Sequence, residues 1–359
     1  MPVTHDDRLR VPEARAPNPE PRSRSRWLVT GAAGFIGSNV CRLLLDAGHE
    51  VVGLDNVNSA YDPRLKQWRL RHLTAASNFR FEPLDITDFS ATERLFEREA
   101  RTGDGGERGA PFAAVLNLAA RAGVRPSVAD PWVYSRTNSD GTLNLLELCR
   151  RFGVKKFVLS STSSLYGAHN AIPFAEDADT NRPLSPYAAS KKAAEAIAFT
   201  YHHLHGLDVS ILRYFTVYGP AGRPDMSVFR FMRKIAEGEP ITVFGDGSQQ
   251  RDFSYVDDIA RGTVAAIKPL GFEVINLGGD RPIRLDYVID QIATLVGRKP
   301  TIQYRPAHPA DVPATWANVA KARQLLDWMP QVAIEEGLRQ TADWYCENRA
   351  EILPLDMGE

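Results

Sequence analysis

The pair Tyr187 and Lys191 carries the clearest chemistry in this sequence. The two residues lie four apart in the run SPYAASKKAAEAIAF, so a helix would place the phenol and the ammonium on one face. A free phenol has a pKa near ~10, and a neighbouring cation, including a pyridinium ring if one is bound, stabilises the phenolate. The pair could therefore remove a proton from an alcohol. The alternative is a surface Tyr and Lys on an ordinary amphipathic helix.

A glycine-rich turn upstream predicts a dinucleotide site. The segment TGAAGFIG places Gly31, Gly34 and Gly37 in the spacing GxxGxxG, after a predicted strand and at the start of a predicted helix. Glycines allow the backbone to approach a pyrophosphate, whose charge the helix amino terminus stabilises. Asp55 ends the next strand, where its carboxylate could accept from both ribose hydroxyls and would repel a 2′-phosphate. NAD is therefore favoured over NADP, with a strand-end turn residue as the alternative for Asp55.

Further residues at strand ends could line the path of this cofactor. Asp85 and Ile86 end the third predicted strand and could flank the adenine, and Leu118 begins the segment that follows the fourth. The predicted cofactor-binding set is Gly31, Gly34, Phe35, Ile36, Gly37, Asp55, Asp85, Ile86, Leu118, Ala119, Ala120, Tyr187 and Lys191.

Composition indicates the general class of protein. The chain has 359 residues, 43% of them hydrophobic, and a formal net charge of −1. It is long enough for one large or two modest domains, and no global field attracts nucleic acid or an anionic membrane. No apolar run is long enough for a transmembrane helix. The three cysteines are scattered without metal-ligand spacing and cannot all pair, which predicts a cytoplasmic protein without a metal site.

Alternating strand and helix patterns predict the elements that position these residues. From Trp27 onward, short apolar runs alternate with helical patterns, as in successive βαβ units. The predicted strands are WLVTG, EVVGLDN, FRFEPLDI, AAVLNLAA, KKFVLSS and DVSILRYF. Crossover helices are predicted for FIGSNVCRLLLDAG, from Pro131 to Phe152 and from Tyr187 to about His205. The predicted fold class is α/β, a Rossmann-type doubly wound parallel sheet with a smaller α/β carboxy-terminal substrate lobe, and ligands bind at the carboxyl edge of such a sheet.

Changes in composition and in the pattern of strands and turns along the chain predict its domains. Residues 1–25, rich in Pro and Arg, are predicted to be a disordered tail, with a basic contact arm as the alternative. Residues 26–217 are predicted to form the NAD-binding Rossmann domain. Residues 218–350 are predicted to form mainly the substrate lobe, with chain excursions between the two. The glycine-rich segment 102–111 lacks the Lys-Ser/Thr ending of a phosphate loop and is predicted to be a solvent loop.

Four motifs together resemble the extended short-chain dehydrogenase/reductase family, from Trp27 to about Asn348: the GxxGxxG turn, the NLAA run, the YxxxK pair and RDFSYVDDIA. The resemblance implies a dinucleotide-binding domain, a nucleotide-sugar-binding domain and a homodimer, with the second and third predicted crossover helices at the interface. It also implies that Tyr187 is the catalytic base and that Lys191 binds the nicotinamide ribose and lowers the tyrosine pKa. Thr162 is implied as the third catalytic hydroxyl.

The segment STSSLYG separates reactions within that family. Nucleotide-sugar 4,6-dehydratases typically have Thr-Asp-Glu where this chain has Thr162, Ser163 and Ser164, and UDP-glucuronate decarboxylases typically have Glu at the last of these positions. This sequence carries neither carboxylate. The resemblance therefore disfavours both chemistries and leaves 4-epimerisation. For the two serines, capping of backbone groups after a strand is the alternative.

The string TVYGPAGRPDM is similar to that of UDP-glucuronate 4-epimerases, whereas UDP-galactose 4-epimerases typically have Asn in place of Thr216. Thr216 and Arg223 match positions used around the sugar carboxylate, and a guanidinium presents a planar fork to such a group. A structural bridge to an acidic neighbour is the alternative for Arg223. Arg251 is predicted to bind the sugar diphosphate, with a structural salt bridge as the alternative. The resemblance implies that Asp311 binds the uridine ribose, with capping of backbone groups in a loop as the alternative.

The implied activity is NAD-dependent 4-epimerisation of UDP-glucuronate to UDP-galacturonate through a 4-keto intermediate, without decarboxylation. One alternative is a 4-epimerase of a neutral UDP-sugar, such as UDP-glucose, UDP-galactose, a UDP-N-acetylhexosamine or a pentose counterpart. The other is a non-catalytic NAD-sensing module. The presence of Tyr187, Lys191 and Thr162 disfavours this alternative, because a sensor would not need a catalytic base. The predicted substrate-binding set is Ser163, Ser164, Thr216, Arg223, Arg251 and Asp311.

Overall fold

A seven-stranded parallel sheet forms the centre of the protein in the computed structural model, which describes residues 25–101, 109–306 and 312–357. The strands are β1 (Arg26–Thr30), β2 (Glu50–Leu54), β3 (Phe79–Glu82), β4 (Ala114–Asn117), β5 (Lys156–Thr162), β6 (Asp208–Tyr214), β7 (Thr216–Tyr218), β8 (Ile241–Phe244), β9 (Gln250–Tyr255), β10 (Phe272–Leu277), β11 (Pro282–Arg284) and β12 (Ile302–Arg305). The central sheet has the order β10-β6-β5-β4-β1-β2-β3, with every neighbouring pair parallel. The predicted α/β class with a doubly wound parallel sheet is confirmed.

Helices cover both faces of this sheet. They are α1 (Phe35–Asp46), α2 (Pro63–Thr74), α3 (Phe89–Arg101), α4 (Val124–Ala129), α5 (Pro131–Tyr134), α6 (Gly141–Phe152), α7 (Pro186–His205), α8 (Ser227–Glu237), α9 (Val256–Ala265), α10 (Leu285–Val296), α11 (Ala320–Leu326) and α12 (Ile334–Ile352). The stretch predicted as one helix from Pro131 to Phe152 is helical throughout, but residues 135–140 form a π-helical turn between α5 and α6. Within the described residues, no helix is both long enough and apolar enough to span a membrane.

Two apolar cores lie on opposite faces of the central sheet. Successive strand residues alternate between them: in β1, Leu28 belongs to one core and Val29 to the other, and both are fully buried. Because both faces are covered, the strands consist of nearly continuous apolar runs, which explains why their positions could be predicted from the sequence.

The chain after Tyr218 forms a smaller lobe and also returns to the central sheet. The lobe contains a three-stranded sheet, β11-β9-β7, a two-stranded sheet, β12-β8, and a third apolar core. Strand β10 joins the edge of the central sheet beside β6, and α9 packs against α1. These are excursions of the kind expected from the sequence, and the domain boundary after residue 217 stays a prediction.

Parallel strands bring several predicted residues to one edge of the sheet. The strand order reverses between β1 and β4, which opens a crevice at the carboxyl ends of these strands. Buried side chains fix this point: the Thr30 hydroxyl donates to Asn117 Oδ1 at 2.7 Å and accepts from the Ala119 amide at 3.2 Å. Asn117 Nδ2 in turn donates to the Thr142 hydroxyl at 3.0 Å. A polar network therefore connects β1, β4 and α6 at the crevice.

Candidate active site

A cleft of about 390 Å³ opens at this edge of the sheet, a size that suits a small-molecule ligand. Its lining includes the complete predicted cofactor set and the predicted hydroxyls and guanidinium, Thr162, Ser163, Ser164, Thr216 and Arg223. Two predicted residues are not among them. Arg251 is described but does not line this cleft, and Asp311 lies outside the described residues.

The glycine turn forms a cradle that side chains would fill. Gly31 has φ +68°, and a Cβ there would lie 2.7 Å from the Ala119 amide nitrogen. A Cβ on Gly37 would overlap the carbonyl oxygen of Gly31. Helix α1 begins after Gly34, which provides no side-chain cap, so first-turn N–H groups remain for a ligand. These features fit the pyrophosphate of a dinucleotide.

Asp55 lies at the end of β2, inside the cleft, with a lysine beside it. Its Oδ2 accepts from the Ala33 amide at 3.2 Å and its Oδ1 from the Val57 amide at 2.8 Å. The Nζ atom of Lys66 is 3.6 Å from Oδ1 and donates to Asn58 Oδ1 at 3.1 Å. Sequence reasoning missed Lys66, because it enters the cleft from α2, a helix that was not predicted. The local charge around Asp55, the predicted ribose-binding residue, is therefore less negative than the sequence implied.

Helix α7 places Tyr187 and Lys191 in the cleft. Ser185 caps the helix by accepting from the Ala188 amide at 3.2 Å, and Pro186 occupies its first turn, so the helix begins just before the tyrosine. Lys191 is 97% buried, and its Nζ donates to the Ser160 carbonyl oxygen at the end of β5 at 2.6 Å. The strand end and the helix thus hold the ammonium in one position.

Burial dominates the protonation of both residues. It raises the pKa of Tyr187, while a hydrogen bond with Thr162 and the charge of Arg223 act in the opposite direction. Burial also lowers the pKa of Lys191 to about 8, against the opposing effect of Glu195. The sequence led us to expect a lowered tyrosine pKa. In the protein alone the net shift has the opposite sign, because desolvation of the phenolate outweighs the nearby donors.

One turn beyond Lys191 lies a buried ion pair that sequence reasoning did not identify. Glu195 receives two hydrogen bonds from Arg213, at 3.0 and 2.8 Å, and one from the Ser161 hydroxyl at 2.6 Å. Both charged side chains are at least 95% buried. Spacing could have revealed Glu195, since it follows Tyr187 and Lys191 at four-residue intervals on the same helix face. Its partner comes from β6 and has no local signal.

The π-helical turn also fixes α7. Asn138 in this turn donates to the Ser190 hydroxyl at 2.9 Å and exchanges hydrogen bonds with the backbone of Arg121, at 2.9 and 3.0 Å. The turn therefore connects the segment after β4 to the helix that carries the predicted base. Such turns often occur at functional sites, and nothing in the spacing indicated this one.

Thr162, Ser163 and Ser164 follow β5 and line the cleft. The Thr162 hydroxyl caps a short 3₁₀ helix at 163–166 by accepting from the Ser164 amide at 3.1 Å, and it donates to the Ser164 hydroxyl at 3.1 Å. The capping alternative therefore describes part of their role. It does not compete with ligand binding, because these side chains also face the cleft.

Arg223 forms a salt bridge with an acidic neighbour, which was the alternative interpretation from the sequence, and it also lines the cleft. Its Nε and Nη2 donate to the two carboxylate oxygens of Asp225 at 3.0 and 2.6 Å, and Nη2 also donates to the Ala122 carbonyl at 3.2 Å. The guanidinium carbon lies 5.9 Å from the centre of the Tyr61 ring. The two interpretations of Arg223 are thus compatible.

Arg251 lies on β9, away from the cleft lining. Its Nη1 donates to the Gln250 carbonyl at 2.8 Å and approaches the Pro313 carbonyl at 3.4 Å. These contacts connect it to the segment that follows Asp311. A role in binding the diphosphate stays a prediction.

Comparison with known proteins places these features in a family. Residues 27–278 match the protein-family model described as the NAD dependent epimerase/dehydratase family. A UDP-glucuronate 4-epimerase from Thermodesulfobacterium geofontis is 54% identical over 90% of this chain and 96% of its own length. A structure of UDP-glucuronic acid 4-epimerase from Bacillus cereus with UDP-glucuronic acid and NAD is 37% identical, with a TM-score of 0.81, and covers 90% of this chain and 99% of its own.

The structure of a UDP-glucose 4-epimerase from Thermotoga maritima with UDP-glucose also matches this chain with a TM-score of 0.81. The two chains are 33% identical, and the match covers 90% of this chain and 99% of the other. The overall fold therefore does not separate acidic from neutral sugar substrates, and the side chains in the cleft must do so. On the sequence match, the glycine cradle and the paired Tyr187 and Lys191, this chain belongs to the NAD-dependent epimerase/dehydratase family.

Proposed function

We propose that this protein interconverts UDP-glucuronate and UDP-galacturonate by inverting C4 through a 4-keto intermediate, without loss of carbon dioxide. The observation that carries this proposal is a single cleft that contains an alcohol-deprotonating trio, Tyr187, Lys191 and Thr162, together with a guanidinium, Arg223. The high identity to a relative of that name supports the same assignment. Positions 163 and 164 carry serines, so the cleft lacks at these positions the carboxylates of dehydratases and decarboxylases.

The cofactor-binding half of the cleft belongs to residues 26–217. Gly31, Gly34 and Gly37 would leave room for the pyrophosphate of NAD, and Asp55 with Lys66 would bind its adenine ribose. NAD bound there supplies a reversible hydride acceptor for C4 of the sugar. A hydride accepted and returned in one cycle would leave no net consumption of oxidant.

The base works by passing a proton between the sugar and the helix α7 residues. Tyr187 as phenolate takes the proton of the C4 hydroxyl, directly or through Thr162, and gives it back when the alcohol re-forms. Lys191, held by the Ser160 carbonyl, would bind the nicotinamide ribose and keep a positive charge near the phenolate. Since burial raises the pKa of Tyr187, positive charge brought by the bound cofactor is needed to make it an effective base.

The substrate carboxylate requires its own restraint. The 4-keto intermediate is a β-keto acid, which loses carbon dioxide when the bond to its carboxylate aligns with the carbonyl π system. Arg223, Thr216 and the two serines hold the carboxylate out of that alignment, and charge-assisted hydrogen bonds of this kind are each worth about 1.5–3 kcal/mol. The lobe formed mainly by residues 218–350 carries the UDP group, to which Arg251 and Asp311 contribute.

We also infer a cytoplasmic homodimer. Large apolar side chains are exposed on the helices that the resemblance assigns to the interface: Trp132 on α5, Leu143 on α6, and Phe199 and Leu204 on α7. A dimer that uses these helices would cover exposed apolar side chains, and exposed apolar surface that forms a patch often marks an interface. The thiols of Cys41, Cys149 and Cys346 are free, which suits a reducing compartment.

A panel of UDP-sugars tests the function. Purified protein supplied with UDP-glucuronate should produce UDP-galacturonate, identified by NMR, and should not release carbon dioxide. Conversion of UDP-glucose, UDP-N-acetylglucosamine or UDP-xylose at an equal or higher rate would assign a neutral substrate instead. Absence of turnover with every sugar, despite bound NAD, would favour a sensing module.

A further inference from the structure

Arg223, the cleft residue proposed to bind the sugar carboxylate, is already paired with a carboxylate of the protein. Arg223 and Asp225 lie two residues apart in the loop before α8, and their side chains form a two-point ion pair that uses Nε and Nη2. Ala122 accepts the remaining Nη2 hydrogen. Among the residues that the structure describes, Nη1 alone has no acceptor, so one edge of the guanidinium remains for a ligand.

The loop that carries this pair is held firmly in place by Arg69. This arginine is 98% buried, and its guanidinium donates to the Ala221 and Gly222 carbonyls at 2.7 to 3.2 Å. It also donates to the Ala33 carbonyl in the glycine turn at 3.0 Å and to the Tyr61 hydroxyl at 2.6 Å. Arg69 thereby connects the backbone just before Arg223 to the cofactor cradle, and these hydrogen bonds oppose a displacement of the loop together with the substrate.

The proposed reaction requires the substrate to leave this fixed guanidinium. Between the two hydride transfers the ketohexose must turn over, so that C4 presents its other face. If C1 stays attached to the bound diphosphate and C4 returns to the same hydride site, the ring turns about a line close to C1 and C4, and the carboxylate on C5 lies away from that line. The carboxylate must therefore give up the contacts of its first position, and a partly buried cation without a partner is costly.

We propose that Asp225 is a positioning residue that serves as the resident counter-ion of Arg223 while the sugar turns. Its carboxylate stays bound to Nε and Nη2 of Arg223 and leaves only Nη1 for the substrate. Binding of the sugar carboxylate is thereby weakened enough for the carboxylate to dissociate while the sugar turns. This inference rests on the proposed function. It adds a residue that controls how tightly the acidic substrate is held in the middle of the cycle.

The role predicts a separation of binding from turnover in Asp225→Asn. Asparagine keeps the shape but removes the competing charge, so UDP-glucuronate should bind about three- to tenfold more tightly by calorimetry, while UDP-glucose binding is unchanged. Turnover of UDP-glucuronate should fall about tenfold or more, because the carboxylate is released more slowly. Reduced nicotinamide should accumulate during turnover and be visible by its near-ultraviolet absorbance. Asp225→Glu, which restores the charge, should recover much of the rate.

A matched control uses the second Arg-x-Asp ion pair of the protein. Arg284 and Asp286 make the same two-point contact, Nε and Nη2 to one carboxylate, on the exposed start of α10. Asp286→Asn removes an equivalent charge pair outside the cleft, and it should leave both affinities and the rate unchanged.

Three results would overturn the inference: an unchanged rate and affinity in Asp225→Asn, equal weakening of both UDP-sugars, or a slower rate without accumulation of reduced nicotinamide. The first would make the pair incidental, the second would make it purely structural, and the third would place the slow step elsewhere. Failure of the proposed function is distinguishable, because wild-type protein would then not convert UDP-glucuronate at all.

Discussion

Replacing Arg223 with leucine should selectively weaken binding of the acidic sugar. The substitution removes a charge-assisted hydrogen bond to the carboxylate, which is worth about 1.5–3 kcal/mol. It also leaves the Asp225 carboxylate without its cation, so this carboxylate and the carboxylate of UDP-glucuronate repel each other in the cleft. For an assumed separation of roughly 8 Å and an effective dielectric constant of about 20, their repulsion is roughly 2 kcal/mol.

The two effects together correspond to about a 400-fold to 5,000-fold loss of affinity for UDP-glucuronate. UDP-glucose carries no carboxylate, so its affinity should change by less than about threefold. The double variant Arg223→Leu/Asp225→Asn should regain about 30-fold over the single variant, because the repulsion is removed while the hydrogen bond stays lost.

Calorimetric titration of the NAD-loaded protein measures these affinities. All variants are prepared on a Tyr187→Phe background, so that the ligand is not converted during the titration. Equal losses for UDP-glucuronate and UDP-glucose would refute the carboxylate contact. A double variant no better than Arg223→Leu would refute the repulsion from Asp225.

Two further perturbations follow from the buried groups of the site and its surroundings. Tyr187→Phe should leave NAD bound, measured by cofactor content after purification, but lower the epimerisation rate by about a thousandfold or more because the base is lost; substantial residual turnover would refute its role. Asp252 is fully buried. Burial raises its pKa to about 6, and the hydrogen bonds that it accepts from the Ala317 and Gly279 amides oppose this shift. Between about pH 4 and 6 the carboxyl of Asp252 is therefore protonated in the folded state but ionised in the unfolded chain. The free energy of unfolding falls as pH rises through this window, and this group contributes about 3 kcal/mol to the fall. Asp252→Asn should flatten that part of the curve of unfolding free energy against pH, and an unchanged curve would contradict the assignment.

The sequence predicted the strands and the residues at their ends, for a clear physical reason. A parallel sheet covered on both faces requires apolar runs, and its carboxyl edge collects whatever follows each run. Gly31, Asp55, Leu118 and Thr162 all follow or end such runs, so their convergence could be expected from local pattern alone.

The parts that were missed depend on contacts between distant segments. Lys66 and Arg69 come from α2, whose mean hydropathy is low and whose apolar pattern is weak. Arg213 pairs with Glu195 across 18 residues of sequence, and β10 joins the sheet from beyond the predicted domain boundary. No spacing rule connects residues of this kind, because their partners are chosen by packing.

The sign of the Tyr187 pKa shift illustrates a second limit. Spacing showed that a cation follows one turn later, but burial, which has no local signature in the sequence, decides the net shift. The cleft and the cofactor must therefore be considered together when the base is assigned.

The central claim is that one hydrogen leaves C4 and returns to the same carbon within a single binding event. UDP-glucuronate deuterated at C4, incubated with the protein in ordinary water, tests this claim directly by NMR and mass spectrometry of the product. We expect UDP-galacturonate that retains the deuterium at C4, without consumption of added NAD. Loss of the label to solvent, or product formed only with a stoichiometric oxidant, would contradict the account.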